Sequence, residues 1–336
     1  MMMIAFGTRP EFIKLLPIIE EFKKNGDGHK IFILFVKQHE TLVDKSLVFD
    51  REIDIGVAEN RLDSILSSVL CAKNLFGGID SVMVQGDTAT AYAIALAAFH
   101  RKIPVIHVEA GLRTYDNDNP YPEEYYRRSI SALASVHFCA TSKNFDNLEA
   151  ERIRGRKYVV GNTSLDNIRK RAKSITYENK ILVTLHRREN IQAMNYWFHE
   201  IDEIASCYPD HEFVLPLHPN PEILKHAKGL NNIKFCDPMN HNEVIDFMAS
   251  CKFIITDSGG LQEESSYLAK RSIICRKTTE RTEGLGIFSE LCYNPYDLKD
   301  MISRFMIDFE VNAKSPYGDG FTAEKIYDSI KYSIRE

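Results

Sequence analysis

Short apolar runs alternate with longer stretches that carry apolar residues at helical spacing, and this pattern indicates buried parallel strands separated by helices. The first run, residues 2–6, is followed by a helix that begins at Pro10 and presents a broad apolar face. Further strands are predicted at residues 30–36, 81–84, 103–108, 136–140 and 157–160. Helices are predicted at residues 61–76, after Thr88, from Pro122 onward and at residues 142–151. The alternation predicts a Rossmann-like α/β domain with a parallel sheet.

The same alternation restarts after a polar segment, residues 173–180, that has no clear period. Strands are predicted there at residues 180–184, 211–215, 233–236, 253–255 and 272–275. Helices are predicted around Trp197, at residues 241–248, after Gly260, and at residues 295–309 and 322–334. Two consecutive sets of strands and helices predict two Rossmann-like domains, meeting at 172/173, with a ligand crevice between them.

Composition narrows the class of protein. The chain has 336 residues, of which 44% are hydrophobic and 26% charged, and its net charge is −5. With no long basic run, a nucleic-acid partner is not expected. No apolar run reaches about 18 residues and the N-terminus lacks the apolar core of a signal peptide, so we expect a cytoplasmic protein without a membrane partner. The 7 cysteines form no CxxC pair, which argues against a disulfide framework or a zinc site.

Carboxylates follow two of the predicted strands in the central stretch, residues 84–128. Asp87 comes after the strand at 81–84, and Glu109 comes after the next one. Because the carboxyl ends of neighbouring parallel strands line one crevice, we expect both to face the same space, and the helix that Pro122-Glu123-Glu124 opens can bring a third carboxylate there. Each acid alone is equally well explained as a helix cap or first-turn residue. The three acids together, with Arg113, Arg127 and Arg128 nearby, favour a site that binds an anion and moves protons.

Two glycine turns open helices after strands, where α/β folds bind phosphate or sugar. The first, Gly7-Thr8, is weak evidence alone, but Arg9 and Lys14 could both reach an anion. In the second, Ser258-Gly259-Gly260, the glycines let a ligand approach free backbone N–H groups, which suits a diphosphate. Glu264 follows one turn later and could accept two ribose hydroxyls. The alternative is an ordinary helix start with a solvated acidic face.

His186 is followed by two arginines at a predicted strand end. A histidine alone at such a position is more often structural. With Arg187 and Arg188 beside it, the group is typical of a phosphate clamp or of a proton donor to a leaving group.

Several motifs occur in order along nearly the whole chain: GTRPEFIK at 7–14, GDT at 86–88, VEAGLRT at 108–114, PEE at 122–124, GNT at 161–163, HRRE at 186–189, TDSGGLQEE at 256–264 and TTER at 278–281. In combination they are highly specific, and the chain resembles the non-hydrolysing UDP-N-acetylglucosamine 2-epimerase family. The resemblance implies two Rossmann-like α/β domains of the glycosyltransferase-B-like fold with an interdomain cleft, a C-terminal helix that returns to the first domain, and no metal or redox cofactor. The domains would then be 1–172 together with 322–336, and 173–321.

The resemblance also implies an isomerase and assigns its residues. UDP-GlcNAc and UDP-ManNAc would be interconverted through elimination of UDP to 2-acetamidoglucal and re-addition, by a homodimer that supplies surface polysaccharide synthesis. The implied catalytic residues are Asp87, Glu109, Glu123 and His186. The implied UDP-sugar contacts are Arg9, Lys14, Arg127, Ser258, Gly259, Gly260, Glu264 and Arg281.

Departures from the family pattern leave alternatives open. Leu185, Tyr126 and Thr282 stand where the family usually has Gly, Asn and Pro, and each could change the sugar pocket. The alternatives are a related UDP-2-acetamido sugar as substrate, a hydrolysing 2-epimerase that releases ManNAc and UDP, a glycosyltransferase of the same fold, and a module that only binds the UDP-sugar.

Regulation is a further expectation. Many bacterial relatives bind a second UDP-GlcNAc beside the active site, through a pattern of which Gln38 and His39 are kept here. The second glutamine of that pattern is missing, Ser67-Ser68 stand where an arginine is common, and Arg128 alters the charge beside Arg127. We therefore expect weak substrate activation.

Overall fold

A computed structural model of the protein describes residues 1–37, 49–56, 61–217, 221–227 and 229–333. The chain divides into two compact units, which are Met1–Asp166 with Gly318–Glu336, and Asn167–Tyr317. Both are α/β domains built on a parallel sheet. The boundary predicted from the sequence pattern was 172/173, and the one implied by the resemblance was 321/322.

The first domain alternates strands and helices from its first residues. Its strands are β1 (Met2–Phe6), β2 (Ile31–Lys37), β3 (Arg51–Asp54), β4 (Ser81–Gln85), β5 (Val105–Ala110), β6 (Val136–Cys139) and β7 (Arg156–Val159). Its helices are α1 (Arg9–Lys24), α2 (Arg61–Cys71), α3 (Ala89–His100), α4 (Glu123–Leu133) and α5 (Ser142–Ala150), and α6 (Ser164–Arg171) spans the division. Among the described residues the strands form one parallel sheet in the order β3-β2-β1-β4-β5-β6-β7.

Alternate side chains of β1 explain why both faces of this sheet are covered. Ile4 and Phe6 pack on one face with α1, whereas Met3 and Ala5 pack on the other with α3. The strand is buried at every position, as expected for the centre of a parallel sheet between helical layers. The strand order reverses beside β1, because the chain adds β2 and β3 on one side of β1 and then crosses to place β4 on the other side. The loops after β1 and β4 therefore lie at the switch point, where α/β sheets bind ligands.

The second domain repeats this plan. Its strands are β8 (Lys180–Thr184), β9 (Glu212–Pro216), β10 (Ile233–Cys236), β11 (Phe253–Thr256), β12 (Ser272–Ile274) and β13 (Ser289–Leu291). Its helices are α7 (Met194–Ser206), α8 (Pro221–His226), α9 (His241–Ser250), α10 (Gly259–Tyr267) and α11 (Leu298–Ile307), with short 3-10 helices at Arg188–Ala193 and Pro295–Asp297. In the part of the chain that the structure describes, the parallel strand order is β10-β9-β8-β11-β12-β13. The switch point lies between β8 and β11.

The last helix, α12 (Thr322–Ser333), packs on α1 in the first domain, as the resemblance implied. Tyr327 meets the ring of Phe22 edge-on at 5.0 Å and donates a hydrogen bond to Asp27. Asp166 accepts backbone N–H groups from Thr322 and Ala323, which fixes the start of the helix. The return of the chain is therefore stabilised by apolar packing and by a capped helix end.

Within the described residues, no helix is both long and apolar enough to cross a membrane. The sequence pattern did not predict β3, α8 or β13. Both missed strands are short and lie at sheet edges, where half of each strand is open to water and the apolar pattern is weak.

Candidate functional site

The loop after β1 is fastened by Glu11, a carboxylate that is almost fully buried. Its Oε2 accepts the N–H groups of Gly7 and Thr8 and the Thr8 hydroxyl, and its Oε1 accepts the hydroxyl of Thr88 at 2.6 Å. Thr8 caps α1 and forms a capping box with Glu11. Burial raises the pKa of Glu11. The hydrogen bonds favour the charged carboxylate and lower the pKa by a smaller amount. One side chain thus connects the loops after β1 and β4.

Asp87 follows β4 and is held by Arg127 of α4. The guanidinium donates from Nε at 3.0 Å and from Nη2 to the same carboxylate oxygen, Oδ2. Arg127 also lies 3.4 Å from Glu124, which is fully buried and accepts the N–H groups of Thr114 and Tyr115. Helix α4 therefore fixes the loop after β5 through Glu124, and it holds Asp87, the catalytic candidate after β4, through Arg127.

Glu109 adopts a strained backbone, with φ +63°, at an irregularity in the pairing of β5 with β6. Positive φ is uncommon outside glycine and is found at functional sites where the surrounding structure enforces it. Its Oε2 accepts Lys14 Nζ at 2.5 Å and also the amide of Gln85. Gly111, at φ +87°, leaves no room for another residue, because a Cβ there would lie 2.2 Å from the carbonyl oxygen of Asn144. The backbone thus turns the Glu109 side chain, and Lys14 and Gln85 hold its carboxylate.

His107 supports the Asp87 loop from below. It is fully buried on β5, and its Nε2 lies 2.8 Å from the carbonyl oxygen of Gly86. Burial lowers its pKa to about 3, so the imidazole is neutral at pH 7 and donates its proton to that carbonyl. The residue is a structural support for the loop.

The remaining first-domain candidates have simpler surroundings. Arg9 is exposed in the first turn of α1, and Glu123 is half-buried in the first turn of α4. Arg113, which the sequence placed near the site, is buried and pairs with Glu151 through two hydrogen bonds of 2.7 and 2.9 Å. Gln38 and His39 lie outside the described residues.

In the second domain, Ser258 stands at the N-cap of α10, and Gly259 and Gly260 form its first turn. A Cβ at Gly259 would lie 2.5 Å from Nη1 of Arg281, whereas one at Gly260 would meet no atom within 4 Å. Arg281 is buried beneath this turn, where it pairs with Glu280 and, at 3.0 Å, with Glu263. The helix start is therefore open on the side of Gly260, where its backbone N–H groups suit an anionic group, and the charge of Arg281 beneath it is balanced by the two carboxylates.

Glu264 lies one turn further along α10 and is buried. Its Oε1 lies 3.1 Å from Nε2 of His241, the first residue of α9, and within the described residues its Oε2 has no hydrogen-bond partner. The two helix starts are thus connected by this contact. A buried acceptor without a donor is unusual and suits a side chain that completes its contacts with a ligand.

His186 follows β8, and Asp257 follows β11. The backbone N–H of His186 donates to Asp257, and Nδ1 of the ring lies 3.6 Å from Oδ1. The histidine side chain is 40% exposed, whereas the carboxylate is fully buried. The structure thus places His186 at the switch point of this sheet.

Sequence reasoning missed Glu11, Gln85, Glu124, His241 and Asp257. Two of them carried a local signal, since Thr8-x-x-Glu11 is a capping-box pattern and Asp257 directly precedes the glycine turn. The contacts of the others depend on residues distant in sequence. Among the described residues, no group of three or more His, Cys, Asp or Glu side chains is arranged to hold a metal ion.

The two parallel sheets, each with its loops at the switch point, define a two-domain α/β protein with the glycosyltransferase-B-like fold. The fold is shared with Acinetobacter baumannii MurG, at a TM-score of 0.56, 14% identity, and coverage of 98% of this chain and 99% of that one. The family model for UDP-N-acetylglucosamine 2-epimerase matches residues 58–331. The chain therefore belongs to the UDP-N-acetylglucosamine 2-epimerase family.

Individual relatives agree along nearly the whole length. The UDP-N-acetylglucosamine 2-epimerase of Campylobacter jejuni is 36% identical over 366 residues, covering 96% of this chain and 95% of the relative. The crystal structure of UDP-GlcNAc 2-epimerase from Neisseria meningitidis, bound to UDP-GlcNAc, matches with a TM-score of 0.87 and 30% identity. That match covers 98% of this chain and 99% of the other.

Proposed function

We propose that this protein interconverts UDP-GlcNAc and UDP-ManNAc, by elimination of UDP and its re-addition. One observation carries the proposal beyond family membership. Asp87 follows β4, Glu109 is the second-last residue of the neighbouring strand β5, and each is held by a cation from a different helix. Family membership and the UDP-GlcNAc-bound relative support the choice of substrate.

The chemistry requires acid–base groups of this kind. The proton on C-2 of the sugar is not acidified by an adjacent carbonyl, so its removal must be coupled to breakage of the anomeric C–O bond. The electron pair of the C–H bond forms the C-1=C-2 double bond of 2-acetamidoglucal, and the electrons of the C–O bond leave with UDP. Protonation of C-2 on the opposite face and re-addition of UDP at C-1 give the epimer. Two carboxylates fixed in position can remove and return the proton.

The two domains have different tasks in this proposal. Asp87, Glu109 and Glu123 of the first domain serve proton transfer at the sugar, and Arg9, Lys14 and Arg127 serve the substrate and the placement of these carboxylates. In the second domain, Ser258, Gly259 and Gly260 bind the diphosphate, backed by Arg281. Glu264 accepts ribose hydroxyls. His186 serves the departing and returning UDP, where charge develops.

Proton NMR of UDP-GlcNAc with the purified enzyme in D2O tests the reaction. We expect UDP-ManNAc to appear, with deuterium incorporated at C-2 of both sugars. Release of free ManNAc and UDP would replace the proposal by hydrolysis. Absence of turnover here, together with turnover of another UDP-2-acetamido sugar in the same assay, would change the substrate. A boiled sample serves as the blank.

Weak substrate activation is part of the proposal and follows from the sequence changes around Gln38 and His39. Initial rates should depend hyperbolically on UDP-GlcNAc, and UDP-ManNAc should be converted without added UDP-GlcNAc. Strongly sigmoidal rates, with no reverse reaction until UDP-GlcNAc is supplied, would contradict it.

A further inference from the structure

Asp257 is a buried carboxylate whose contacts converge on one loop. Its Oδ2 accepts the backbone N–H groups of His186 at 3.0 Å and Arg187 at 2.9 Å, and the side-chain amide of Asn190 at 3.0 Å. Its Oδ1 lies 3.2 Å from the N–H of His186. The side chain is fully buried. Burial of a charge is costly unless several donors compensate it, and here three residues of one loop supply them.

The sheet places Asp257 below that loop. Thr256, the last residue of β11, is paired with Thr184, the last residue of β8. The N–H of Asp257 continues the pairing by donating to the carbonyl of Thr184. Asn190 also donates to the carbonyl of Cys275, which follows β12. The loop is thus tied to the ends of β11 and β12.

The same carboxylate faces the imidazole of His186. Nδ1 lies 3.6 Å from Oδ1, slightly beyond a hydrogen bond, and such contacts in ligand-free sites often shorten when substrate binds. The contact engages the ring on its Nδ1 side, so the neutral ring keeps its proton on Nδ1, and the proton that the imidazolium donates to the departing UDP is the one on Nε2. Which nitrogen carries the proton is set by the partner of the other one.

We propose that Asp257 is a positioning residue for His186. It fixes the backbone of the loop and orients the imidazole, so that Nε2 meets the UDP group that leaves and returns. This inference rests on the proposed function. It adds to the proposed functional residues one that makes no contact with the substrate.

A purely structural role for Asp257 is the alternative, and the domain offers a matched control. Asp202 of α7 is also buried and accepts three backbone N–H groups, from Asn231, Asn232 and Ile233. It has no part in the proposed site. A carboxylate that only fastens a loop should behave like Asp202.

The kinetic test uses the full-length enzyme and the variants Asp257→Asn, His186→Asn, their double variant, and Asp202→Asn. We expect Asp257→Asn to lower kcat by about 10²-fold through misplacement of the imidazole. The double variant should be no slower than His186→Asn alone, because the two residues act as one unit. Asp202→Asn should lower Tm while kcat stays normal. Losses that multiply in the double variant, or a normal kcat in Asp257→Asn, would overturn the inference.

A second measurement does not depend on the folding of the Asp257 variant. Long-range proton–nitrogen NMR of the enzyme labelled with 15N-histidine reports the tautomer of each neutral ring, and the His186 signals are identified by their loss in His186→Asn. We expect the proton on Nδ1, whereas a proton on Nε2 would refute the proposed orientation. Failure of the wild-type enzyme to epimerise would reject the proposed function while leaving this result interpretable.

Discussion

Asp87 and Asp257 occupy corresponding places in the two domains but lie in opposite environments. Each follows the strand that joins the first strand of its domain at the switch point, β4 beside β1 and β11 beside β8. Asp87 is 27% exposed and is held by a guanidinium, whereas Asp257 is fully buried and is held mainly by backbone N–H groups. The same fold position thus carries the proposed acid–base group in one domain and a buried support in the other.

The cause lies in the neighbouring loops. In the first domain, the support for the loop after the first strand comes from Glu11, on the following helix, which leaves the position after β4 available for chemistry. In the second domain, the loop after β8 is supported by Asp257, which directly follows the neighbouring strand β11. The exposed group is His186, which lies on the supported loop. Each domain therefore combines one buried carboxylate with an exposed titratable side chain, on different loops.

The largest expected effect is on Asp87, the exposed member of the pair. Asp87→Asn should lower kcat by roughly 10²–10⁴-fold, because an acid–base group is lost, while Tm changes little. Turnover is measured by NMR and folding by circular dichroism. UDP affinity, measured by calorimetry, should stay at the wild-type value, and near-normal turnover would remove Asp87 from the catalytic residues.

Replacement of Glu11, the buried carboxylate that supports the loop after β1, should lower the stability of the protein. In Glu11→Gln the single amide oxygen cannot serve all the donors that now meet two carboxylate oxygens. We expect the free energy of unfolding to fall by about 1–3 kcal/mol in urea titrations. Glu20→Gln, on an exposed position of the same helix, is the control and should change it by less than about 0.5 kcal/mol. Equal stability of the two variants would deny Glu11 its supporting role.

The Glu264 variant should separate nucleotide binding from chemistry. Glu264→Ala should weaken UDP binding about ten-fold, because charge-assisted hydrogen bonds to the ribose are lost. Calorimetry of this variant beside Asp87→Asn gives the comparison, since only the former should lose affinity. Unchanged affinity in Glu264→Ala would place the ribose elsewhere.

The smallest expected effect is on the pH dependence of stability, through His107, which supports the loop that carries Asp87. The pKa of His107 is about 3 in the folded protein against 6.5 ordinarily, so its contribution to stability is complete above pH 6.5 and declines as pH falls toward 3. His107→Gln can keep a donor for Gly86 but has no titration. The loss of unfolding free energy between pH 7 and 5.5 should therefore be about 1 kcal/mol smaller in the variant. Identical losses in urea titrations at the two pH values would contradict this.

Much of the fold followed from the sequence, because a strand buried on both faces must be apolar throughout. The runs that became β1, β4 and β8 are short, apolar and bounded by turn residues, so both type and order could be predicted. The edge strands β3 and β13 could not be predicted, since pairing with one neighbour, and not local composition, makes them strands.

The motifs placed Asp87 and Glu109 at neighbouring strand ends, and the parallel sheet explains why this was possible. A strand end has a fixed position in the sheet once the strand order follows the alternation of strands and helices. Glycine turns before helices were readable for the same reason, because backbone N–H groups at a helix start are exposed in any fold. The sequence by itself therefore determined which kinds of functional group lie at the switch points of the two sheets.

Tertiary structure alone decided which partner each carboxylate has and whether it faces water. Glu123 and Glu124 are adjacent in sequence, yet only Glu124 is fully buried and accepts the N–H groups of Thr114 and Tyr115. Asp257 meets His186 across 71 residues of chain, and Lys14 meets Glu109 across 95. Local sequence sets the conformation of a segment, whereas burial and pairing depend on which distant segments the sheet brings beside it.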